Sequence, residues 1–438
     1  PTSSNTSRRR AAASRFPAVS VRFFCINATC RMPAWLLPEQ VSDQLPQEAE
    51  QLERLRRRLL DLFAAFGYRL VQPPLFEHAS SFSLKGVRDL EARSFTMADQ
   101  LTGRLLAMRP DITLQAARID AQLFRSNDLN RLCYAGSVLH AQAAGLLSSR
   151  EPVQVGCELY GHAGIEADLE IQELALASLS TAGIESVHLD LTDRGIFLAL
   201  QDSDSALSEH EALANHTVQA LQTKDKPALS ALAALKPETR QALIALTELY
   251  GPARGQNNVI DRARIELPRL KPIEQALDRL QAVADSALFV KHPQCALSVD
   301  LADLKGWQYH NGIMFSIYCE GFADAVVRGG RYDGLGEDFG RSRAATGFSL
   351  ELRSLGMVAE RHTSAGSEER SVKPVAAPWL ASASTQSQEF QGLQERVLQE
   401  RERGRSIVFL PVSQWELYKG PRLVHAKHEA TGWAIQED

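Results

Sequence analysis

Apolar residues between positions 46 and 66 recur every three or four residues, which predicts an amphipathic helix. Gly67 follows the last of them and ends the pattern, as glycine commonly does after a helix. Arginines at positions 54 and 56–58 are interleaved with the leucines. They indicate either a solvated helix face or a stripe for nucleic acid, and the solvated face is the more common case.

Strand patterns follow this helix. A short one covers residues 68–71, and two longer ones cover residues 131–141 and 152–160. The segment between the two long runs contains glycine and serines, so the pair predicts a hairpin with a long loop. Residues 166–182 predict a further helix, and residues 187–191 predict a further strand.

The composition changes at residue 195. Residues 195–293 are rich in Ala, Leu, Gln and Glu and poor in β-branched residues, which predicts an all-helical insertion rather than a continuation of the sheet. The strand patterns then resume, and a final helix is expected to close the core. These elements are strands at 296–300, 313–318 and 323–327 and a helix at 350–360.

The remaining residues predict a linker and a small domain. Residues 361–373 are polar and typical of a linker. Residues 374–438 contain one helical pattern, at 388–401, and short strand patterns such as 406–410. The order of elements along the whole chain predicts an α+β fold rather than an alternating βαβ chain. The sequence contains no G-x-G-x-x-G and no P-loop lysine motif.

Composition and charge narrow the class of protein. A chain of 438 residues, 44% hydrophobic and 23% charged, is typical of a soluble globular protein with two or three domains. The net charge of −5 argues weakly against a nucleic-acid partner, because a basic patch could still lie within it. No run approaches the roughly 18 apolar residues of a membrane span.

The metal-binding residue types show no metal-site spacing. Six cysteines are dispersed without a C-x-x-C pair, which suits the reducing cytoplasm. Eleven histidines include no H-E-x-x-H and no H-x₃-H, so no metal is expected.

Residues 1–31 differ from the rest of the chain. They contain no Asp or Glu and include three consecutive arginines at positions 8–10. We expect a disordered or non-native extension, with Met32 as the true start. An organellar transit peptide is the alternative that this composition leaves open.

A polar, glycine-rich segment, RGGRYDGL at residues 328–335, follows the strand pattern at 325–327. Paired glycines allow positive φ and the close approach of a ligand. Arg331 and Tyr332 supply polar side chains beside them. The segment therefore predicts a pocket at a place where the sheet opens.

Two upstream motifs carry polar side chains at spacings that suit a small ligand. Asp111 and Thr113 follow a strand at i and i+2, where both can face one small cation. The alternative is a helix N-terminus with Asp111 as its cap. Gln154 and Glu158 lie four residues apart on a predicted strand, which places them on the same face.

Together these motifs resemble the histidyl branch of the class II aminoacyl-tRNA synthetases over residues 34–360. The resembling motifs are R-P-D-I-T at 109–113, where these synthetases have R-P-E-x-T, Q-x-G-x-E at 154–158 and the segment at 305–312. The resemblance implies an antiparallel sheet flanked by helices, with a histidine pocket. Asp111 and Thr113 would hold the α-amino group, and Glu158 would accept a hydrogen bond from the imidazole. The other residues implied as contacts of the ligand are Gln154, Tyr309, His310, Arg331 and Tyr332. Arg331 could equally brace the turn through a salt bridge.

The sequence departs from these synthetases at their ATP site. His140 stands where motif 2 has its arginine, Ser354 stands at the arginine of motif 3, and Lys305 replaces the arginine that assists adenylate formation. Losing one such donor typically costs about 10²–10³ in rate. The departures imply no useful adenylation, no catalytic residue and no bound cofactor. Arg150 and Arg353 lie nearby in sequence and leave weak contact with ATP open.

A sequence that retains the amino-acid pocket and lacks the ATP-site arginines resembles the catalytically silent paralogues of these synthetases. Those paralogues are the regulatory subunits of ATP phosphoribosyltransferase. That resemblance implies a role in the first step of histidine biosynthesis, together with a short-form catalytic subunit. It also implies allosteric feedback inhibition by histidine, and a homodimer within a cytoplasmic hetero-oligomer. Neither a membrane nor tRNA is an expected partner.

Two alternatives remain open from the sequence. One is a divergent but active histidyl-tRNA synthetase, which histidine-dependent pyrophosphate exchange would reveal. The other is a binding module for a different amino acid, which calorimetry against the twenty amino acids would reveal.

The domain organisation expected from these patterns has six parts. They are an extension at 1–31, the first part of the synthetase-like core at 32–194, a helical insertion at 195–293, the second part of the core at 294–360, a linker at 361–373 and a small C-terminal α/β domain at 374–438.

Overall fold

The computed structural model describes residues 36–82, 93–124, 128–143, 145, 148–305, 309–320, 322, 324–359, 374–379, 388–403, 406–411, 424–429 and 432–437. The chain divides into two compact units, residues 1–39 and 40–438. Within the first unit, the described residues 36–39 are exposed and form neither helix nor strand. The expected extension at 1–31 and linker at 361–373 lie outside the described residues.

Twelve strands of the described residues precede the C-terminal part of the chain. They are β1 (Arg69–Leu70), β2 (Phe76–His78), β3 (Thr96–Ala98), β4 (Leu105–Met108), β5 (Asn130–Ser137), β6 (Val153–Tyr160), β7 (Val187–Asp193), β8 (Tyr250–Pro252), β9 (Cys295–Asp300), β10 (Ile313–Cys319), β11 (Val327–Arg331) and β12 (Ala345–Glu351).

Nine of these strands form one large sheet in the order β1, β5, β6, β12, β11, β10, β7, β9, β8. Only β1 with β5 and β7 with β9 pair in parallel, and the other neighbours within the described sheet are antiparallel. A separate three-stranded antiparallel sheet has the order β2, β4, β3. The mainly antiparallel sheet with helices confirms the predicted α+β class.

Twelve helices of the described residues belong to the same part of the chain. They are α1 (Pro46–Ala65), α2 (Thr113–Leu123), α3 (Ile165–Thr181), α4 (Arg194–Ser203), α5 (Ser205–Glu209), α6 (Glu211–Gln222), α7 (Lys226–Ser230), α8 (Pro237–Leu246), α9 (Val259–Glu266), α10 (Lys271–Ala284), α11 (Leu288–Lys291) and α12 (Leu352–Ala359).

Helices α1, α3 and α10 pack on one face of the large sheet. Helix α1 begins with Pro46, whose missing N–H needs no partner in a first turn, and its chain turns away at Gly67, which has a φ of 82°. Its predicted apolar stripe is buried, and the Phe63 ring meets the Phe348 ring of β12 edge to face at 6.1 Å. The apolar periodicity of this helix therefore predicted its packing face correctly.

The region at 195–293 is helical, as predicted, except at β8. This strand pairs antiparallel with β9 at the edge of the large sheet, with Tyr250 opposite Asp300. The prediction of an all-helical insertion was wrong here. Strand β9 would otherwise present unpaired main-chain groups at this edge, and β8 hydrogen-bonds with them.

The glycine-rich segment also lies differently from its prediction. We expected a strand at 323–327 with the glycines beyond it, but β11 is Val327–Arg331 and contains both glycines. A Cβ on Gly329 would collide with the Phe315 ring, and one on Gly330 would collide with main-chain atoms of β10. The glycines therefore permit close strand packing here rather than a turn. The expected helix at 350–360 begins only at Leu352, after β12.

The C-terminal part forms a small α/β sheet with one helix. Its elements are β13 (Pro374–Trp379), α13 (Gln388–Glu402), β14 (Ser406–Pro411), β15 (Val424–Glu429) and β16 (Gly432–Glu437). The sheet order is β14, β13, β15, β16. Helix α13 buries Leu393 and Val397 in the main hydrophobic core, and the Arg401 guanidinium lies 3.4 Å from the centre of the Phe66 ring.

None of the helices in the described part of the chain has the length and apolar character that crossing a bilayer requires.

We predict that Leu393→Ala lowers the free energy of unfolding by about 2–5 kcal/mol, because a fully buried leucine leaves a cavity between α13 and the core. Urea denaturation of the full chain measures this change. Glu395→Ala, at an exposed position of the same helix, should change stability by less than about 0.5 kcal/mol. Equal effects of the two substitutions would show that α13 does not pack as described.

Candidate functional site

The face of the large sheet opposite α1 and α3 carries a cavity of about 660 Å³. Strands β6, β12, β11, β10 and β7 all contribute to its lining. Seven of the eight residues proposed from the sequence line this cavity. They are Asp111, Thr113, Gln154, Glu158, Tyr309, His310 and Tyr332.

The Glu158 carboxyl lies at the inner end of the cavity and is 1% exposed. The Tyr134 hydroxyl donates a hydrogen bond to its Oε1 at 2.9 Å, and the Tyr332 hydroxyl donates to its Oε2. Burial raises the pKa of Glu158 to about 8, although these two donors oppose the rise. Burial therefore outweighs the hydrogen bonds and favours the protonated carboxyl at pH 7.

Glycines provide the space around this carboxyl. Gly347 lies opposite Glu158 in the β12–β6 register, and a Cβ there would overlap the carboxylate. Gly156 lies opposite Tyr134 in the β5–β6 register, and a Cβ there would overlap the phenol. Both positions need glycine, because a Cβ at either one would displace the carboxyl of Glu158 or the phenol of Tyr134.

Tyr134 is a cavity-side residue that the sequence reasoning missed. Its hydroxyl also lies 3.0 Å from Thr113 Oγ1, so it joins the two predicted motifs. The sequence did contain a signal, because pairing the two predicted hairpin strands places this tyrosine opposite a glycine.

Asp111 and Gln154 form a rigid pair at the cavity wall. Asp111 Oδ1 accepts hydrogen bonds from the Thr113 amide at 2.7 Å and from Gln154 Nε2 at 3.1 Å. Gln154 Oε1 accepts from the Ile112 amide at 2.8 Å. A helix does begin here, as the alternative interpretation expected, but its N-cap is Ile112 rather than Asp111. Asp111 accepts from the first helical amide and also lines the cavity. Its Oδ2 atom has no hydrogen-bond donor among the described residues.

Tyr309, His310 and Tyr332 form an aromatic wall. The Tyr309 and His310 rings stack with centres 4.4 Å apart, and the Tyr309 ring meets the Tyr332 ring edge to face at 5.9 Å. The Arg194 side chain donates a hydrogen bond to the His310 carbonyl from behind this wall. The aromatic faces can contact a flat or cationic group placed in the cavity.

Arg331 does not line the cavity, so its prediction as a ligand contact was wrong. Its guanidinium is buried on the helix side and pairs with Asp168 of α3, with Nη2 2.9 Å from Oδ2. The salt-bridge alternative describes this residue correctly. The alternation of a strand accounts for the error, because neighbouring residues at a strand end point to opposite faces.

The cavity lining also contains other charged residues. Lys305 lines the cavity together with two arginines that the sequence reasoning missed, Arg93 and Arg328. The Arg328 guanidinium is bound to Ser316 Oγ at 3.0 Å and to Asp324 at 2.5 Å. Four further carboxylates line the cavity, those of Asp190, Asp303, Asp324 and Glu351.

His140 and Ser354 also line the cavity. The His140 Nε2 atom lies 3.0 Å from the Pro110 carbonyl, and the Arg93 guanidinium lies beside its ring at 3.2 Å from Nδ1. Burial, and then the charge of Arg93, lower the pKa of His140 below its usual value. His140 is therefore a neutral hydrogen-bonding group at pH 7 rather than a fixed cation.

His, Cys, Asp and Glu side chains of the described residues form no cluster of three or more that could hold a metal ion.

Comparison with known proteins identifies relatives of this chain. Residues 40–355 match the family model described as Histidyl-tRNA synthetase. The ATP phosphoribosyltransferase regulatory subunit of Janthinobacterium sp. (strain Marseille) is 48% identical over 352 residues, which are 80% of this chain and 86% of that protein.

Two solved structures are similar in fold. One is an ATP phosphoribosyltransferase regulatory subunit/histidyl-tRNA synthetase from Bacillus halodurans, with a TM-score of 0.65 and 21% identity, covering 88% of this chain and 94% of that chain. The other is the ATP phosphoribosyl transferase (HisG:HisZ) complex from Thermotoga maritima, with a TM-score of 0.51 and 16% identity, covering 71% of this chain and 98% of that chain.

We predict that Glu158 makes folding stability fall between about pH 4.5 and pH 8. Its pKa rises from 4.5 to about 8 on folding, so the folded protein retains a proton that the unfolded chain releases over this range. The contribution of Glu158 to the free energy of unfolding is fully present below about pH 4.5, and it is lost as the pH rises to about 8. Urea denaturation at pH 5 and pH 8 should show a larger decrease for the wild type than for Glu158→Gln.

The control for this measurement is Glu185→Gln, at an exposed position, which should keep the pH dependence of the wild type. The same pH dependence in wild type and Glu158→Gln would contradict the raised pKa of Glu158.

Proposed function

Because this chain belongs to the family of ATP phosphoribosyltransferase regulatory subunits, we propose that it is the non-catalytic regulatory subunit of that enzyme. It therefore serves the first step of histidine biosynthesis. The observation that carries this proposal is the 48% identity to a regulatory subunit over 86% of that protein's length. A likeness that extends over most of both chains concerns the whole protein rather than one shared domain.

The charges of the cavity support a role without adenylation. A nucleotide triphosphate needs fixed cations against the charge that develops during its reaction. The lowered pKa of His140 favours its neutral form, Ser354 carries no charge, and Arg328 is bound to Asp324. Arg93 and Lys305 are the other described cations of the lining, and the carboxylates of Asp190, Asp303, Asp324 and Glu351 oppose an anionic ligand there.

The inner end of the cavity supports histidine as the effector. Asp111 Oδ2 can accept a hydrogen bond from an α-ammonium group, and Thr113 lies beside it. Glu158 has two hydrogen bonds to tyrosines, and its carboxyl oxygens keep further acceptor capacity in either protonation state, so it can also accept from an imidazole N–H. The aromatic wall of Tyr309 and Tyr332 suits a flat ring.

In the same proposal the partner is a short-form ATP phosphoribosyltransferase catalytic subunit in the cytoplasm. This chain forms a homodimer within that hetero-oligomer, and tRNA is not a ligand. Histidine at the cavity then changes the activity of the partner through coupling between two distinct sites, typically about 1–3 kcal/mol.

We predict that the full chain activates a co-expressed short-form catalytic subunit and catalyses no histidine-dependent pyrophosphate exchange by itself. Co-purification followed by a phosphoribosyltransferase assay, with and without this chain, measures the first part. An exchange assay on the isolated chain measures the second. Robust exchange together with no activation would replace the proposed role by that of an active histidyl-tRNA synthetase.

We predict that Glu158→Ala weakens inhibition by histidine and leaves activation of the catalytic subunit largely intact. The substitution removes the imidazole acceptor of the cavity, and the loss of one hydrogen bond is expected to raise the inhibitory concentration roughly two- to tenfold. Glu185→Ala, an exposed substitution, should leave both properties unchanged. Loss of activation with inhibition retained would show that the effector binds elsewhere.

A further inference from the structure

Arg331 makes more polar contacts than a salt bridge needs. Its Nε and Nη2 atoms bond Asp168 Oδ2 at 3.1 and 2.9 Å, and Nη2 also bonds the Gly164 carbonyl at 3.1 Å. Its Nη1 atom bonds the His162 carbonyl and Asp333 Oδ1, each at 3.2 Å. One buried guanidinium therefore joins the start of α3 to the turn that follows β11.

That turn carries a residue of the cavity. The Tyr332 amide donates to the Ala345 carbonyl at 2.8 Å, and Asp333 Oδ1 accepts from the Ala345 amide at 2.9 Å. Tyr332 is thus held between β11 and β12, with its hydroxyl bonded to Glu158. Its position depends on a turn whose charged residue, Asp333, is fixed by Arg331.

The same turn holds the segment of the aromatic wall. The Arg331 carbonyl accepts a hydrogen bond from the Asn311 amide at 2.9 Å, and Asn311 Oδ1 accepts from the Asp333 amide at 3.1 Å. Asn311 directly follows Tyr309 and His310. Arg331 therefore fixes both the Tyr332 side and the His310 side of the cavity, although it touches neither the cavity nor Glu158.

We propose that Arg331 and Asp168 are positioning residues for the amino-acid cavity: they hold the Tyr332 hydroxyl against Glu158 and keep Tyr309 and His310 at the wall. The part of the inference that concerns histidine affinity rests on the proposed function. The part that concerns the placement of Tyr332 does not.

The fork of the guanidinium is what this role requires. A lysine at position 331 keeps the charge, but its single ammonium cannot reach Asp168, Asp333 and two carbonyls in the same geometry. The chain offers a matched comparison in Arg131, which forms a buried bidentate pair with Glu170 of the same helix, at 2.7 and 2.8 Å. Glu170 accepts its further hydrogen bond from Tyr68, which does not line the cavity.

The experiment compares Arg331→Lys with Arg131→Lys in the full chain. Calorimetric titration with L-histidine measures affinity. A ¹³C NMR titration without ligand measures the titration midpoint of the Glu158 carboxyl, whose signal is assigned by its loss in Glu158→Gln. This midpoint reports whether the Tyr332 hydroxyl lies against Glu158. The titratable groups that face Glu158 are Asp111, Tyr134, Tyr160, Tyr309 and Tyr332.

Arg331→Lys should weaken histidine binding roughly two- to tenfold, the cost of misplacing one hydrogen bond. It should also raise the titration midpoint of Glu158, because a carboxylate without the Tyr332 donor is less stabilised. Tyr332→Phe removes that hydroxyl directly and should raise the same midpoint. Arg131→Lys should lower the melting temperature and leave both affinity and midpoint unchanged.

A wild-type affinity and a wild-type midpoint in Arg331→Lys, with a lowered melting temperature, would overturn the proposal and leave Arg331 a purely structural residue. If the wild type binds no histidine, the proposed effector is wrong, and the Glu158 midpoint still decides the positioning role. If Arg331→Lys does not fold, Asp333→Ala replaces it, because Asp333 is partly exposed and its Oδ1 is the atom that joins Arg331 to the turn. A raised midpoint in that variant supports the proposal, and an unchanged one contradicts it.

Discussion

The buried carboxyl of Glu158 is the constraint on which the cavity depends. A carboxyl without water needs hydrogen-bond donors, and here two tyrosines supply them from β5 and from the turn after β11. The strands between must leave room for those phenols and for the carboxyl, and Gly156 and Gly347 provide it. The register of β5, β6, β12 and β11 is therefore fixed by one polar group as well as by the apolar core.

The two faces of the large sheet use their charges differently. On the helix side, Arg131 and Arg331 are buried in ion pairs with acids of α3, where removing either partner would leave an uncompensated charge. On the cavity side, the described lining contains more carboxylates than cations, and the lowered pKa of His140 favours its neutral form. The buried arginines of the helix side therefore hold the sheet to α3.

Local patterns predicted much of the fold. The apolar period of α1, the hairpin of β5 and β6, and the shared face of Gln154 and Glu158 all follow from residues close together in sequence. Features that depend on distant strands were missed or misplaced. Gly329 and Gly330 suggested the close approach of a ligand, because nothing local shows that β10 and β12 approach them closely. Arg93 and Arg328 reach the cavity only through the order of the strands, and Arg331 faces away from it because of the strand end at which it lies.

Strand β8 has a mechanical consequence. The helical insertion is joined to the sheet edge by the β8–β9 main-chain bonds, and the Arg279 guanidinium of α10 bonds the Asp193 carboxylate at the end of β7 at 2.8 and 3.0 Å. The insertion is therefore held by these contacts as well as by its two chain connections to the core. A force applied to its outer helices passes through β9 to β7, whose Asp190 and Thr192 form part of the cavity lining.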